Sequence, residues 1–225
     1  VAVDANETET AFLTFAGADT ETLEPGDYTV EAASEDSSDT LNVSVLAPAS
    51  LQIDNVAAVE SEVVAGETVV LNATVNNTGE VAAEQEIALQ LGAADNVVDT
   101  TTIEIGPTNA STVQLAYDTT SDDIGELDFT VASEDDDGTA SVSVLEEADF
   151  GVEINSAASS ESVTVGETVV INATVTNRGE AEAQQDIRFN YRDASNATSV
   201  TLAGNESATV EFTYETRTRD TGEDR

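Results

Sequence analysis

The sequence predicts an all-β fold: tandem seven-stranded β-sandwiches, one complete copy between two incomplete ones. Three observations predict it. Residues 66–80, GETVVLNATVNNTGE, return at 166–180 as GETVVINATVTNRGE, with 12 of 15 positions identical. Apolar and polar residues alternate in short runs, the period of a strand with one buried face. Gly, Pro, Asn and Asp punctuate those runs. A repeat offset of 100 residues exceeds the roughly 20–50 residues of a solenoid unit and matches a whole small domain.

Residues 1–46 read as the C-terminal half of a repeat. Ala11, Leu13 and Phe15 align with Val113, Leu115 and Tyr117 of the next copy, TVEAASED from Thr29 aligns with TVASEDD from Thr130, and Val43–Leu46 aligns with Val142–Leu145. Residues 49–146 hold a complete repeat. Its strands are marked by Leu51 and Ile53; Val69, Leu71, Ala73 and Val75; Ile87, Leu89 and Leu91; Val97 to Ile105; Val113, Leu115 and Tyr117; Leu127, Phe129 and Val131; and Ala140, Val142 and Val144. Turn signals at Ala65-Gly66-Glu67, Asn77-Thr78-Gly79, Gly92, Gly106-Pro107, Gly125 and Asp137-Gly138 separate them. Seven short strands at this spacing build two sheets with Greek-key connections, the Ig-like arrangement. Its expected core is Val69, Leu71, Val75, Ile87, Leu89, Val113, Leu115, Phe129 and Val142, and their equivalents about 100 residues later are expected to be core too.

Residues 149–225 read as the N-terminal part of a further repeat. Val152 and Ile154 align with Leu51 and Ile53, and Val210, Phe212 and Tyr214 with Val113, Leu115 and Tyr117. The linkers Ala47-Pro48-Ala49 and Glu146-Glu147-Ala148 leave little freedom of rotation, so neighbouring copies are expected to stack as a semi-rigid rod. A half-sandwich leaves an apolar face and open edges. Either the ends belong to a longer array, or the C-terminal half of one chain is completed by the N-terminal half of the next through strand donation. Against the second stands the strand at 9–15, which holds the same repeat position as that at 209–214.

The repeated stretch, followed by Gln85-Glu86-Ile87-Ala88-Leu89-Gln90-Leu91 or Gln185-Asp186-Ile187-Arg188-Phe189-Asn190-Tyr191, resembles the CARDB family, the cell-adhesion-related domains of bacterial and archaeal surface proteins. The shared pattern is a Gly-Glu turn, a V-x-V strand, an Asn-x-Gly hairpin and an apolar strand. In that hairpin Asn77 and Asn177 are expected as turn residues tolerant of the left-handed region, and Gly79 and Gly179 as relief of a positive φ. The resemblance implies an extracellular, non-catalytic, tandem spacer or adhesion module.

Charge narrows the setting. The net charge is -40, from 46 acidic and 6 basic residues. All six basic residues are Arg, at 178, 188, 192, 217, 219 and 225, so residues 1–177 carry no positive side chain. Hydrophobic residues make up 40% of the chain and alternate regularly, which separates it from a disordered acidic tail. Self-repulsion of this size destabilises a compact state in dilute buffer, whereas molar salt shortens the Debye length to about 3 Å. An acidic, Lys-free, Ala/Val/Thr-rich composition resembles proteins of extreme halophiles, haloarchaea especially. Without a basic patch there is no source for nucleic-acid binding by counterion release or for adhesion to anionic headgroups. No apolar run approaches the roughly 20 residues of a membrane span, so direct membrane insertion is not expected of this segment; any secretion signal or anchor lies outside it. The expected partners are neighbouring domains, other copies of the chain, or a surface glycan or protein.

Catalytic chemistry has few candidates. His, Cys and Lys are absent, which removes Ser-His, Cys-His and Ser-Lys pairs. Carboxylate pairs acting on glycosides call for aromatic sugar platforms, yet Trp is absent and aromatics are 4%. No cofactor is expected, and no catalytic residue is assigned. Glu134-Asp135-Asp136-Asp137-Gly138 fails as an EF-hand loop, because counting from Gly138 puts Ser133 at the first ligand position and Val144 at the last. It reads as a hairpin with solvated carboxylates, as does Glu35-Asp36 with Asp39; specific Ca²⁺ is not expected, diffuse Na⁺ and K⁺ binding is. Arg188 and Arg192 flank Phe189 and Tyr191 and read as charge balance for an acidic face.

Asn-x-Ser/Thr sequons stand at Asn6, Asn42, Asn72, Asn76, Asn109, Asn172, Asn196 and Asn205, candidates for N-glycosylation. Asn72 and Asn76 alternate with apolar residues, which puts them on a solvent face. The reading is an extracellular stalk or adhesion module of a halophilic archaeal surface protein. The alternatives are a subunit of a filament, surface layer or haloarchaeal virus fibre or spike, and an accessory module of a large secreted hydrolase. Leu71→Asp is expected to unfold the central copy, since an unpaired buried charge costs several kcal/mol; an unchanged thermal midpoint in molar salt would refute the strand assignment.

Overall fold

The computed structural model describes residues 7–10, 23–93, 95–191 and 194–220, and these are all-β, with three short 3₁₀ turns. The strand expected around Ala11–Phe15 falls on residues outside those described. A two-stranded hairpin comes first: β1 (Gly26–Ala33) pairs antiparallel with β2 (Ser38–Val45). The central copy follows as β3 (Leu51–Ala58), β4 (Glu62–Val64), β5 (Thr68–Asn77), β6 (Ala83–Leu91), β7 (Val97–Ile105), β8 (Ala110–Asp118), β9 (Gly125–Ala132) and β10 (Asp137–Leu145). These form two sheets, ordered β3-β5-β8 and β4-β10-β9-β6-β7.

Period-two alternation explains the packing of the two sheets. Along β5, Val69, Leu71, Ala73 and Val75 are buried while Val70, Asn72, Thr74 and Asn76 are half-buried on the other face. They join Ile87 and Leu89 of β6, Val113 and Leu115 of β8, Phe129 and Val131 of β9, and Val142 and Val144 of β10 in one core. Every core residue expected in the central copy is buried there, whereas of the later equivalents Val175 and Ile187 are buried and Val169, Ile171 and Phe189 only half-buried. Seven strands were expected and eight are found. The addition, β4, runs parallel to β10 with Val63 buried beside Val144; three residues are too few to show a period.

One turn assignment changes here. The β9–β10 turn is at 133–136, closed by the Ser133 amide donating to the Asp136 carbonyl at 2.9 Å, and Gly138 lies within β10. A Cβ on Gly138 would meet Val56 Cγ2 at 2.7 Å, so close packing between sheets requires the glycine, not a turn. Asp135 and Asp136 are not simply solvated. Their carboxylates accept from the backbone amides of Leu51 at 2.8 Å and Ile53 at 2.9 Å, and Ser133 Oγ donates to the Leu51 carbonyl. The outer edge of β3 is thereby sealed by a turn rather than by another strand.

The remaining strands are β11 (Phe150–Ile154), β12 (Thr168–Asn177), β13 (Ala183–Tyr191), β14 (Ala194–Leu202) and β15 (Ser207–Glu215). They pair as β11-β12-β15 and β13-β14. Phe150 faces Asn177 as Leu51 faces Asn77, and Val152 faces Val175 as Ile53 faces Val75. The alignment of Val152 and Ile154 with Leu51 and Ile53 is thus one step out along the strand face: Phe150 and Val152 hold those positions. The linkers differ from a strict offset of 100 by one residue, which the long identical stretch could not reveal.

Near-identical residues are buried differently in the two copies. Ile53 is 7% exposed and Val152 53%; Val69 and Leu71 are buried where Val169 and Ile171 are half-buried. In the central copy β9 and β10 cover this side with Phe129, Val131, Val142 and Val144; among the described residues no strand does so beside β13. The smaller core is Ala173, Val175, Ile187, Leu202, Val210 and Phe212.

After β8 the chain turns through a 3₁₀ segment capped by Thr120, whose amide and hydroxyl both donate to Asp123 at 2.7 and 2.8 Å. The Tyr117 hydroxyl donates to the same carboxylate at 3.2 Å. The Thr120 hydroxyl, foremost, holds Asp123 below the usual carboxylate range, while burial and then Asp123 push the Tyr117 phenol up. A carboxylate that titrates lower when folded stabilises above its unfolded pKa and loses that contribution as pH falls. Tyr214 and Asp220 repeat the contact at 3.0 Å.

Leu71→Ala is expected to cost about 2–5 kcal/mol and Ile171→Ala clearly less, because Ile171 is only half-buried. Amide hydrogen exchange resolved by segment would read both values in one chain; equal losses would show that the C-terminal core is as closed as the central one.

Candidate functional site at the repeat junctions

Where the copies join, one set of contacts occurs twice. Asn77 ends β5 and Asn177 ends β12, and both are fully buried. Asn77 Nδ2 donates to the carbonyls of Val81 (2.8 Å), Ile105 (3.2 Å) and Gly106 (3.3 Å), and its Oδ1 accepts from the amides of Gly79 (3.0 Å) and Ser50 (3.3 Å). Asn177 does the same with Ala181 (2.8 Å), Leu202 (3.3 Å), Ala203 (3.1 Å), Gly179 (3.1 Å) and Asp149 (3.2 Å). A carboxamide is the neutral side chain that both donates twice and accepts. The strand end, the following loop, the β7 or β14 end and the linker all converge on it.

The glycine two residues on has a steric role. Neither Gly79 nor Gly179 has a positive φ, contrary to the expected turn, and the two asparagines end strands instead of occupying the left-handed region. A Cβ on Gly79 would be driven into the Pro48 carbonyl oxygen, and one on Gly179 into that of Glu147. The linker backbone lies directly on the glycine. Next, the Glu80 amide donates to the Ala47 carbonyl at 3.1 Å while its carboxylate accepts from the Ala47 amide at 2.9 Å. Glu180 holds Glu146 in the same two-way grip at 3.1 and 3.2 Å. The Thr78 amide reaches the Ser50 carbonyl at 2.9 Å, and that of Arg178 reaches Asp149 at 2.7 Å. Asn-x-Gly-Glu is therefore a clamp on the preceding linker.

The left-handed backbone in this region belongs to Thr108 (φ 56) and Asn205 (φ 60), whose amides donate to the carbonyls of Gly79 and Gly179 at 3.2 and 3.0 Å. Arg178 also lies 3.8 Å from Asp149, but both side chains are about two-thirds exposed, so the pair adds little. An open groove of about 590 Å³ flanks the second junction between Gly66, Glu67, Glu147, Phe150 and Glu182.

The glycosylation candidates do not gather. Asn42, Asn109, Asn196 and Asn205 are exposed. Asn72, Asn76 and Asn172 face outward from the middle strands β5 and β12 and are half-buried between their neighbours. Asn172 Nδ2 donates to the Ala158 carbonyl at 2.7 Å, and Asn72 accepts from Gln114 at 3.3 Å. Asn6 lies outside the described residues. Arg188 is exposed on β13, Phe189 stacks on Phe212 at 5.8 Å, and Tyr191 meets Tyr214 at 5.1 Å; Arg192 and Arg225 lie outside the described residues. Sequence reasoning does not find the clamp, although its signal, the same Asn-x-Gly-Glu at 77–80 and 177–180, is present in the sequence. No helix among the described residues is long and apolar enough to cross a membrane.

No family model matches the chain, and no curated protein matches it. Solved structures with partial likeness include a CARDB domain of a Pyrococcus furiosus protein in complex with di-metal ions. It is 13% identical, covering 45% of this chain and 96% of that one at a TM-score of 0.37. A Paenibacillus sp. cycloisomaltooligosaccharide glucanotransferase is 23% identical, covering 43% and 14%, with a TM-score of 0.39. A β-glucosidase from Erythrobacter marinus is 13% identical, covering 43% and 15%, with a TM-score of 0.37. The match spans about a seventh of the length of these two enzymes.

Asn77→Asp keeps the shape of the side chain but sets an acceptor against three carbonyl oxygens. It is expected to lower stability by roughly 3 kcal/mol or more, read from urea unfolding in molar salt. A loss within the range of surface substitutions would show that the clamp carries no weight.

Proposed function

We propose that the chain is a non-catalytic stalk or adhesion element built of tandem Ig-like, CARDB-like repeats and working outside the cell in brine. One observation carries this reading: the same clamp holds both linkers, through a buried Asn, a glycine on the linker backbone and a two-way Glu. A protein that needed its repeats to reorient would leave those linkers free; a spacer holds them. Strands of nine or ten residues make each copy about 30–35 Å long, so successive copies carry a tip well away from its attachment. The missing His, Cys and Lys support a structural role over a catalytic one, and the dense acidic surface supports function at high salt. The domains are read as 1–46, 49–146 and 149–225, with exposed Asn42, Asn109, Asn196 and Asn205 offered as glycan sites. Neighbouring repeats, further copies and a surface glycan or protein are the proposed partners, with no cofactor.

The chain has no cysteine, so paired spin labels can be placed cleanly at the exposed Glu104 and Glu211 as Glu104→Cys and Glu211→Cys. Pulsed dipolar spectroscopy in molar salt, at dilutions where the chain is monomeric, is expected to give one narrow distance distribution, and Gly179→Ala is expected to shift or broaden it. A broad distribution in the parent chain would overturn the spacer reading.

A further inference from the structure

In the central copy, residues 51–65 are tied to β10 at both of its ends. At the start of β10, Asp135 and Asp136 accept from the Leu51 and Ile53 amides, and Ser133 Oγ donates to the Leu51 carbonyl. At its finish, Glu62, Val63 and Val64 pair with Ser143, Val144 and Leu145. The chain therefore runs the same way through β3, β4 and β10. It enters the central copy beside the start of β10 and leaves at the other end, about 30 Å away for a strand of nine residues.

The β4 ladder is closed on both flanks. The Ser143 amide donates to the Ser61 carbonyl at 3.0 Å and the Ala65 amide to the Leu145 carbonyl at 2.9 Å. Alternate residues of a parallel strand bond to its neighbour, so Val63 turns its amide and carbonyl to β10 between these two, while its side chain is buried in the core. Beyond Val64 the chain is pinned. The Glu67 carboxylate accepts from the Val64 amide at 2.8 Å, and the Glu67 amide donates to the Val64 carbonyl at 2.9 Å. Thr119, buried just after β8, accepts from the Gly66 amide at 3.0 Å and donates to the Glu67 carbonyl at 2.7 Å. The far end of β4 is thus fastened to the opposite sheet.

We propose that the central copy bears tension, with the β4–β10 ladder as the lock that resists it. This role deepens the spacer reading and rests on it. Each linker is gripped by the copy that follows it, so a pull along the chain is passed on instead of being taken up by slack. Such a pull draws residues 51–64 towards the start of β10 and draws β10 the opposite way. The ladder bonds lie across that direction, and strands pulled from opposite ends must break them together. Pulled from one end, the same bonds open one at a time. Forced unfolding is set by the unfolding barrier, and a step that breaks several contacts at once has the higher one. Val63 adds to that step, because sliding β4 along β10 carries its side chain out of the core. The charge-assisted bonds of Asp135 and Asp136 share the load at the other end.

Optical-tweezers pulling on the intact chain in molar KCl tests this. The chain has no cysteine of its own, so handles can be attached at exposed positions. Leu46→Cys with Glu147→Cys loads the central copy from linker to linker. Thr68→Cys with Glu147→Cys loads it from two points at the same end of the ladder. The extended length of the released segment identifies the event in each case. The linker-to-linker force is expected to be about twofold higher or more at one pulling rate, because the barrier rather than the equilibrium stability governs it. Val63→Pro, which removes a ladder donor, is expected to erase most of that difference. Val113→Ala, on β8 away from the ladder, is expected to lower equilibrium stability and keep it. Equal forces in the two directions, or a difference indifferent to Val63→Pro, overturns the proposal, and the comparison of directions stands even if Val63→Pro does not fold. The spin labels read the spacing of the copies at rest: a narrow distance with equal forces would leave a spacer that bears no load, and a broad one with unequal forces a lock without a spacer.

Discussion

A single carboxamide, excluded from water at the end of β5 and again at the end of β12, is the contact on which the architecture turns. Its five hydrogen bonds gather the end of a middle strand, the loop that crosses to the other sheet, the end of the partner hairpin and the linker from the preceding copy. Buried polar groups left without partners are costly, so such a hub holds its surroundings to one arrangement. Because the hub binds the linker as well as its own sheets, the fold of each copy and the placing of the copy before it are one problem. Gly79 and Gly179 belong to the same solution, as the only residue type that lets the linker backbone lie against the strand end.

Acidity shapes the rest of the bonding. With six basic residues in the chain and one ion pair among the described residues, the carboxylates that do structural work accept from backbone amides. Glu67 and Glu167 cap the amides of Val64 and Thr164, each at 2.8 Å. Asp99 takes the Ala116 amide and Asp123 that of Thr120, while Asp135 and Asp136 close the edge of β3. Such charge-assisted bonds are stronger than neutral ones and need no cation. They reconcile a highly anionic chain with a β fold that must satisfy every strand edge.

The comparison between copies separates what a strand carries in itself from what its neighbours supply. Val69 and Val169 sit in identical pentapeptides and pair with the same kind of partner strand, yet their burial differs. Alternation along one strand sets which face is apolar; whether that face meets protein is decided by residues far away in sequence, here Phe129 to Val144. The exposed faces of β1–β2 and β11 are the visible result.

Much was legible in the sequence. The seven strands of the central copy, its core from Val69 to Val142 and the equivalence of the copies followed from alternation and from the repeat, because period two reports directly on which side chains share a face. Strand β4 and the shift from Val152 to Phe150 did not: a three-residue strand has no period, and an offset read from one block says nothing about insertions outside it. The Asn-x-Gly-Glu motif stands out in the sequence but its role does not, since a turn and a clamp call for the same residues. Local pattern determined the strands, the apolar faces and the anionic surface. Tertiary structure alone decided that Asn77 is buried, that Gly79 yields to Pro48, and that Asp135 reaches Leu51 across 84 positions, because each depends on which distant backbone arrives beside it.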